Sequence, residues 1–410
     1  MSLLTGAVRD AARALSPGEL PCYLYDMDAL EQHAAAVRAA LPPSVELYYA
    51  AKANPEREVL RALVPYTDGF EVSSGGELAH VRGAVGSRPL AFGGPGKTPE
   101  EIAAALDAGV ERFHVESLHE LRLLARLVGR HRERSANRPK VLIRFDPPVK
   151  ADALADSVLA MGGRPTPFGM GPAEAAEALG RFARGELPDL ELAGLHAHMA
   201  SGLDAEAQLA LAEQVVTEAH ALAARCGVAL RELTVGGGMA VDYTRPEECF
   251  DWASFGAGMA RLAERFPGPA LRIEPGRALT AYCGWYATQV LDVKRSHGEE
   301  FAVVRGGTHH LRTPAAKGHD QPAEVLPVAD WEHPPPRPEV RGDRVSFTGQ
   351  LCTPKDVLAR GVPAPGLRAG DRVVFALAGA YAWNISHHDF LMHPPPAVRF
   401  LRAGTADASG

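Results

Sequence analysis

The chain has 410 residues, 46% hydrophobic and 23% charged, with a formal net charge of -7. That length suffices for one large domain and a second one, and the acidic balance argues against a nucleic-acid surface. No apolar run approaches the ~20 residues of a membrane span, and the opening MSLLTGAVRDAARAL lacks the basic region, apolar region and cleavage site of a secretion signal.

Five cysteines, Cys22, Cys226, Cys249, Cys283 and Cys352, are scattered without CxxC spacing. Neither a zinc knot nor a disulfide framework is expected, and a reducing cytoplasm is the expected setting.

In chain order, LPCYLYDMDAL reads as a strand that could pair with a later β domain. From about residue 45 to 277, short β-rich runs alternate with helical segments. The runs are VELYYAAK, GFEVSS, LAFGG, RFHVES, KVLIRFD, LAGLHAHMA, LTVGGG and ALRIEPGR. The segments between them repeat apolar residues at i, i+3, i+4 spacing. Thr98-Pro99-Glu100-Glu101 is a helix start, with a capping residue, then proline, then acids. Roughly eight βα units point to an α/β fold, a closed (β/α)8 barrel; an open doubly wound sheet is the alternative. Beyond Arg277 the runs CGWYATQVLDVKRS, EEFAVVRGG, DRVSFTGQLC and GDRVVFALAGAYAW have no long helix between them, as in an antiparallel β domain. The expected division is 1–25 joining the β domain, 26–277 the barrel, and 278–410 the β domain, with a frayed end from about residue 402.

In such a barrel, chemistry gathers where strands end. Lys52 ends the first barrel run, in a chain with only seven lysines among 43 basic residues. A primary amine can lose its proton and form an imine, which a guanidinium cannot do; a solvated strand-end lysine is the plain alternative. Other strand ends carry Glu71 with Ser73 and Ser74, Glu116, Arg144, His198 with Ser201, Gly236 to Gly238, and Glu274-Pro275-Gly276-Arg277. Three glycines after a strand could cradle an anion or simply make a turn. Arg277 could grip a phosphate in fork geometry. Glu274 could hold a proton on a heteroaromatic nitrogen. His198 could stack on a planar cofactor or be an ordinary core histidine.

YYAAKAN, GFEVSSGGEL, AFGGPGKT, HVESLHEL, GLHAHMAS, VGGG, EPGR, LC followed by Asp356, and GAYAW occur in that order. Together they resemble the fold-type III pyridoxal-phosphate decarboxylases, the group of the ornithine and diaminopimelate enzymes, whose barrel is shared with the alanine racemases. The resemblance implies pyridoxal 5'-phosphate as cofactor and a head-to-tail homodimer with shared sites. It implies that Lys52 is the Schiff-base lysine, that His198 stacks on the pyridine, and that Glu274 meets its nitrogen. Ser201, Gly236, Gly237, Gly238, Gly276, Arg277 and Tyr381 fall on the phosphate cradle. Glu71 stands where the family has an aspartate. Cys352 and Asp356 fall on residues that reach the partner's site, the cysteine as proton donor after carbon dioxide leaves and the aspartate as a holder of the distal part of the substrate. The racemases carry an arginine at the pyridine nitrogen, so Glu274 favours decarboxylation.

Two departures bear on substrate. Diaminopimelate decarboxylases carry a glutamate after the cysteine, where this chain has Thr353 and Pro354; their KFG reads Pro167-Phe168-Gly169 here. GAYAWNISHHDFLMHPPP with GQLCTPKDVL looks most like the siderophore branch, which decarboxylates citryl-diaminopropionate and related conjugates. On that resemblance Arg312 would bind a distal carboxylate, with His309, His310, Lys317, His387 and His388 as further donors. Loop hydrogen bonding is the alternative for the histidines. No metal is expected, because adjacent histidines seldom share one ligand geometry. A plain amino-acid decarboxylase, and a non-catalytic relative, are the competing readings.

Overall fold

The computed structural model describes residues 2–131, 138–149, 159–163 and 165–403. The chain divides into two units: residues 33–240 with 250–279, and residues 1–32, 241–249 and 280–410. The end beyond residue 403, expected to fray, lies outside the described residues, as does the side chain of Lys317.

The first strand, β1 (Cys22–Asp26), is buried along its whole length. It belongs to the second unit, described below. The other unit is the barrel. Its strands are β2 (Val45–Ala50), β3 (Gly69–Val72), β4 (Leu90–Phe92), β5 (Arg112–Val115), β6 (Lys140–Arg144), β7 (Glu191–His196), β8 (Glu232–Thr234) and β9 (Ala270–Ile273). All neighbours are parallel, and β9 returns to β2 to close the ring. The open doubly wound alternative is thereby excluded. Buried β-branched and aromatic runs favour this arrangement, since a strand covered on both faces reads as continuously apolar. Thr98 starts its helix as expected: its hydroxyl accepts from the Glu101 N–H, and Glu101 accepts from the Thr98 N–H.

Polar residues recur at period two within these apolar strands. Arg112 and His114 occupy one face of β5, and Glu46 and Tyr48 one face of β2. At the strand starts this face is ionic. Arg272, whose side chain is wholly buried, donates to Glu232 at 2.7 Å and Glu46 at 2.9 Å, with its guanidinium 4.3 Å from the Tyr48 ring centre. Arg112 grips both oxygens of Glu232, at 2.9 and 3.1 Å.

The second unit is a mixed sheet. It is built from β1, β10 (Gly284–Ser296), β11 (Glu299–Val304), β12 (Ala323–Leu326), β13 (Arg344–Thr348), β14 (Val357–Pro363), β15 (Arg372–Phe375) and β16 (Ala397–Leu401). Most pairs are antiparallel, as expected, but β1–β16 and β11–β13 are parallel. Strand β1 lies between β10 and β16. The helix Gly6–Ala14, which the sequence reading passed over, places Val8 and Ala12 against Leu24, Trp285 and Val374. Thr5 caps it by accepting from the Val8 N–H. Among the described residues, no helix is long and apolar enough to cross a membrane.

Candidate active site

Strand β2 runs out into a short 3-10 turn, Ala51–Ala53, that carries Lys52. Its Nζ donates to Glu71 Oε2 at 2.9 Å, and Glu71 Oε1 accepts from the Ser73 hydroxyl at 2.8 Å. Burial pushes the Glu71 carboxyl up, but the Lys52 ammonium, with His114 and the Ser73 hydrogen bond, outweighs it and holds the group ionised. The glutamate is buried while the lysine is half-exposed (side chains 6% and 46%), so the amine stands in reach of a ligand.

His198 follows β7, and its Nδ1 accepts from the Gly237 N–H at 3.1 Å. The ring is therefore held by the glycine turn after β8. Burial, with Lys52 and Arg144 nearby, lowers its pKa to about 3, so it presents a neutral ring. Gly236 has φ 76°, and a Cβ there would lie 2.5 Å from His198 Nδ1; Gly238 has φ 99°, and a Cβ would lie 2.2 Å from the Ala200 carbonyl. Only glycine lets this turn lie against the histidine and the Ala200–Ser201 segment. Arg277 opens a short helix past β9, and the carbonyl of Gly276 accepts from Leu279.

Glu274 comes directly after β9, buried. Its Oε2 accepts from His196 Nε2 at 3.1 Å; its Oε1 has no hydrogen-bond partner and lies 3.7 Å from His114 Nε2. Burial, then Glu71, raises its pKa, against the opposing influence of His114. The ligand atoms of His114, His196 and Glu274 lie within 4.8 Å of one another, a spacing a cation could also use. The other strand ends pair locally. Arg144 donates to Glu116 at 2.6 Å and lies 4.7 Å from the Phe168 ring centre, and Glu116 also accepts from the Gly169 N–H at 2.9 Å. Pro167-Phe168-Gly169 thus packs on this pair.

The barrel unit therefore brings together Lys52, Glu71, His198, the Gly236–Gly238 turn and Glu274. An amine beside a carboxylate, a flat neutral ring, a backbone cradle and a buried carboxylate with one unpaired oxygen suit a planar, anionic, heteroaromatic cofactor. Sequence reasoning missed His114 and His196. The signal was GLHAH, where His196 stands two residues before His198, and RFHVE, where His114 shares a strand face with Arg112.

The remaining site candidates belong to the sheet unit. Tyr381 is half-buried, with φ 49°, and its carbonyl accepts from the Thr313 hydroxyl. Asp356, expected to hold the distal part of the substrate, is instead buried, and both of its oxygens are used within the chain. Oδ1 accepts from the Thr308 N–H at 2.6 Å and hydroxyl at 2.9 Å, and Oδ2 from the Leu351 N–H at 2.8 Å. Cys352, one residue after Leu351, is exposed, as is Arg312.

His309 is wholly buried with neither ring nitrogen bonded, and its ring centre is 4.1 Å from that of His310 and 4.9 Å from that of His393. Burial, then His393 and His387, brings its pKa down to about 4. His310 is used structurally, bonded to the Tyr286 hydroxyl and the Pro394 carbonyl at 3.0 Å each. His388 stacks on Trp383, with ring centres 3.6 Å apart. His387 is half-buried, its pKa lowered by burial and then by Arg312.

Known proteins resemble this chain in sequence and in fold. The family described as pyridoxal-dependent decarboxylase, pyridoxal binding domain, matches residues 27–281. The Staphylococcus aureus 2-[(L-alanin-3-ylcarbamoyl)methyl]-2-hydroxybutanedioate decarboxylase is 36% identical over 92% of this chain and 93% of that protein. The L-glutamyl-[BtrI acyl-carrier protein] decarboxylase of Niallia circulans is 30% identical over 94% of this chain and 90% of its own. The diaminopimelate decarboxylase of Actinosynnema pretiosum is 34% identical over 98% and 89%. A crystal structure of Helicobacter pylori diaminopimelate decarboxylase with L-lysine matches with TM-score 0.81 at 25% identity, covering 96% of this chain and 94% of that one.

Proposed function

The chain belongs to the pyridoxal-dependent decarboxylases, and on that premise we propose that it removes the carboxyl group from the amino-acid end of a carboxylate-rich conjugate of the citryl-diamino acid type, in siderophore assembly. The observation that carries this reading is the 36% identity, over 92% of the chain, to an enzyme whose name describes an alanine joined by an amide to a hydroxybutanedioate. Thr353 in place of a glutamate beside Cys352 supports it, because an ammonium-bearing substrate end would meet no carboxylate there.

Bound pyridoxal phosphate supplies an electron sink for the electron pair left when carbon dioxide departs. Lys52 offers the amine that anchors it. Glu71 keeps that amine oriented. Glu274 would accept a hydrogen bond from the pyridine nitrogen, and the neutral ring of His198 would stack on the ring. The Gly236–Gly238 backbone with Ser201, Gly276 and Arg277 would hold the phosphate. Cys352 returns a proton to the reacting carbon, from the second copy of a homodimer. Asp356 fixes the loop that presents it. Arg312 and His387 receive the distal carboxylates, Arg312 having no ion-pair partner among the described residues, whereas His309, expected to join them, is wholly buried and out of a substrate's reach.

Carbon dioxide release decides the matter, measured on citryl-diaminopropionate, diaminopimelate, ornithine, arginine and lysine. The conjugate should be the preferred substrate. Arg312→Ala should raise its KM roughly 30-fold, the loss of a guanidinium–carboxylate pair worth on the order of 2 kcal/mol. Preference for diaminopimelate would overturn the substrate assignment.

A further inference from the structure

Two buried histidines flank Glu274, and the function proposed above gives neither a task. His196 reaches Oε2 with its Nε2 at 3.1 Å, and His114 stands 3.7 Å from Oε1. Their ring centres are 4.1 Å apart, tilted by 31°. All three residues are buried, at 1% for His114, 4% for His196 and 7% for Glu274.

We propose that His196 is a positioning residue: it donates Nε2–H to Glu274 and so keeps that carboxylate ionised and aimed, with His114 wedging the imidazole in place. The proposal rests on Glu274 serving the cofactor nitrogen.

The need for such a device follows from burial. A carboxyl out of water tends to keep its proton, and Glu71 nearby adds to that tendency. A protonated Glu274 would be a donor where an acceptor is required. A hydrogen bond to the ionised form opposes this. Among the described residues, His196 is the one side chain that bonds this carboxylate. The other charged or titratable groups facing Glu274, namely Glu71, Arg272, Lys52 and His114, act on it through space only.

The tautomer is settled by the orphans. His196 Nδ1 is buried without a partner. A buried N–H without an acceptor is rarer than an acceptor without a donor, so the proton sits on Nε2 and points at Glu274. The ring stays neutral, because burial and then Arg144 and His198 push its pKa well down, with Glu71 and Lys52 also facing it. His114 is likewise neutral, through burial and then His196. At 3.7 Å it does not consume Oε1.

His114 is itself pinned. Its carbonyl accepts from Lys97 Nζ at 2.9 Å, and the other two Lys97 protons go to the Gly94 carbonyl and Glu120, each at 2.7 Å. The AFGGPGKT motif thereby anchors β5 under the carboxylate.

The apoprotein supplies a readout independent of turnover. Infrared titration should locate the Glu274 carboxyl, assigned by its loss in Glu274→Gln. His196→Phe should raise that midpoint by about one unit or more, and His196→Gln, which can still offer N–H at that reach, should leave it near wild type. In the holoenzyme, His196→Phe should lower kcat about tenfold with little change in KM. Added to Glu274→Gln, the same change should cost no more than about twofold further, since its partner is already gone. Nitrogen NMR of the histidine-labelled apoprotein should show His196 as the neutral Nε2–H tautomer across about pH 5 to 8; this measurement needs no variant to fold. An unmoved midpoint in His196→Phe, a full additional loss in the double variant, or a charged or Nδ1–H ring would each overturn the proposal. A wild-type rate in Glu274→Gln would instead overturn the role of Glu274, and the apoprotein titration would still decide the hydrogen bond.

Discussion

At the scale of single residues, the barrel site pairs groups whose environments pull them apart. Glu71 is ionised because an ammonium touches it, whereas burial pushes the Glu274 carboxyl up. Glu274→Gln should therefore bind cofactor with near-normal affinity, the glycine cradle being untouched, yet decarboxylate at least about a hundredfold more slowly. Cofactor titration by absorbance and single-turnover carbon dioxide release separate the two effects. Lys52 can be singled out in the same way. Lys97 has all three protons engaged in hydrogen bonds, two of them buried, so it cannot substitute as the anchoring amine. Borohydride treatment of the holoenzyme followed by peptide mapping should place the label on Lys52. Lys52→Ala should lose both label and nearly all turnover. The lysine, the glycine turn and EPGR were legible in the sequence because each follows an apolar strand and breaks its pattern. His114 and His196 were not, because a polar residue inside a buried strand carries no mark until its neighbour across the barrel is known.

At the scale of elements, the barrel separates its tasks between the two ends of its strands. The starts of β2, β5, β8 and β9 are tied by Glu46, Arg112, Glu232 and Arg272. Burial pushes Glu232 up, but hydrogen bonds from Arg112 and the Arg272 charge outweigh it and hold the carboxyl at about 2. An unfolded glutamate titrates near 4.3, so the folded value is the lower one. The stabilisation is therefore complete above the unfolded pKa and lost as pH falls toward the folded one. Glu232→Gln should cost roughly 3–5 kcal/mol at neutral pH, because it leaves two buried guanidinium groups short of their counter-charge. Urea unfolding at a series of pH values should show the gap to wild type closing between about pH 4 and 2; a gap independent of pH would refute the assignment. The eight barrel strands were readable as apolar runs with polar ends. Strands β12, β14 and β16 were not, because AEVL, VLARGVP and AVRFL are only partly covered and mix charge with apolar residues. The helix Gly6–Ala14 was passed over because alanines blur its buried stripe.

At the scale of the whole molecule, the prediction concerns two copies. If Cys352 of one copy serves the barrel of the other, Lys52→Ala and Cys352→Ala are each inactive alone but complement when mixed. Each mixed dimer then holds one intact site of two, so full exchange should restore about a quarter of wild-type turnover. Tagged subunits would verify exchange, and no recovery despite it would refute the shared site. The sheet unit carries a different consequence, one of timing. Strand β1 is flanked by β10 and β16, from residues 284–296 and 397–401. Made before either neighbour, it keeps its second edge open until β16 follows more than three hundred residues later, roughly 20–70 s at the usual rate of synthesis. Every barrel strand has left the tunnel well before then. The nascent chain must therefore keep a wholly apolar strand, CYLY, from pairing with foreign edges through that interval, and the helix Gly6–Ala14, made just before β1 and packed on one face of it, is the cover already at hand.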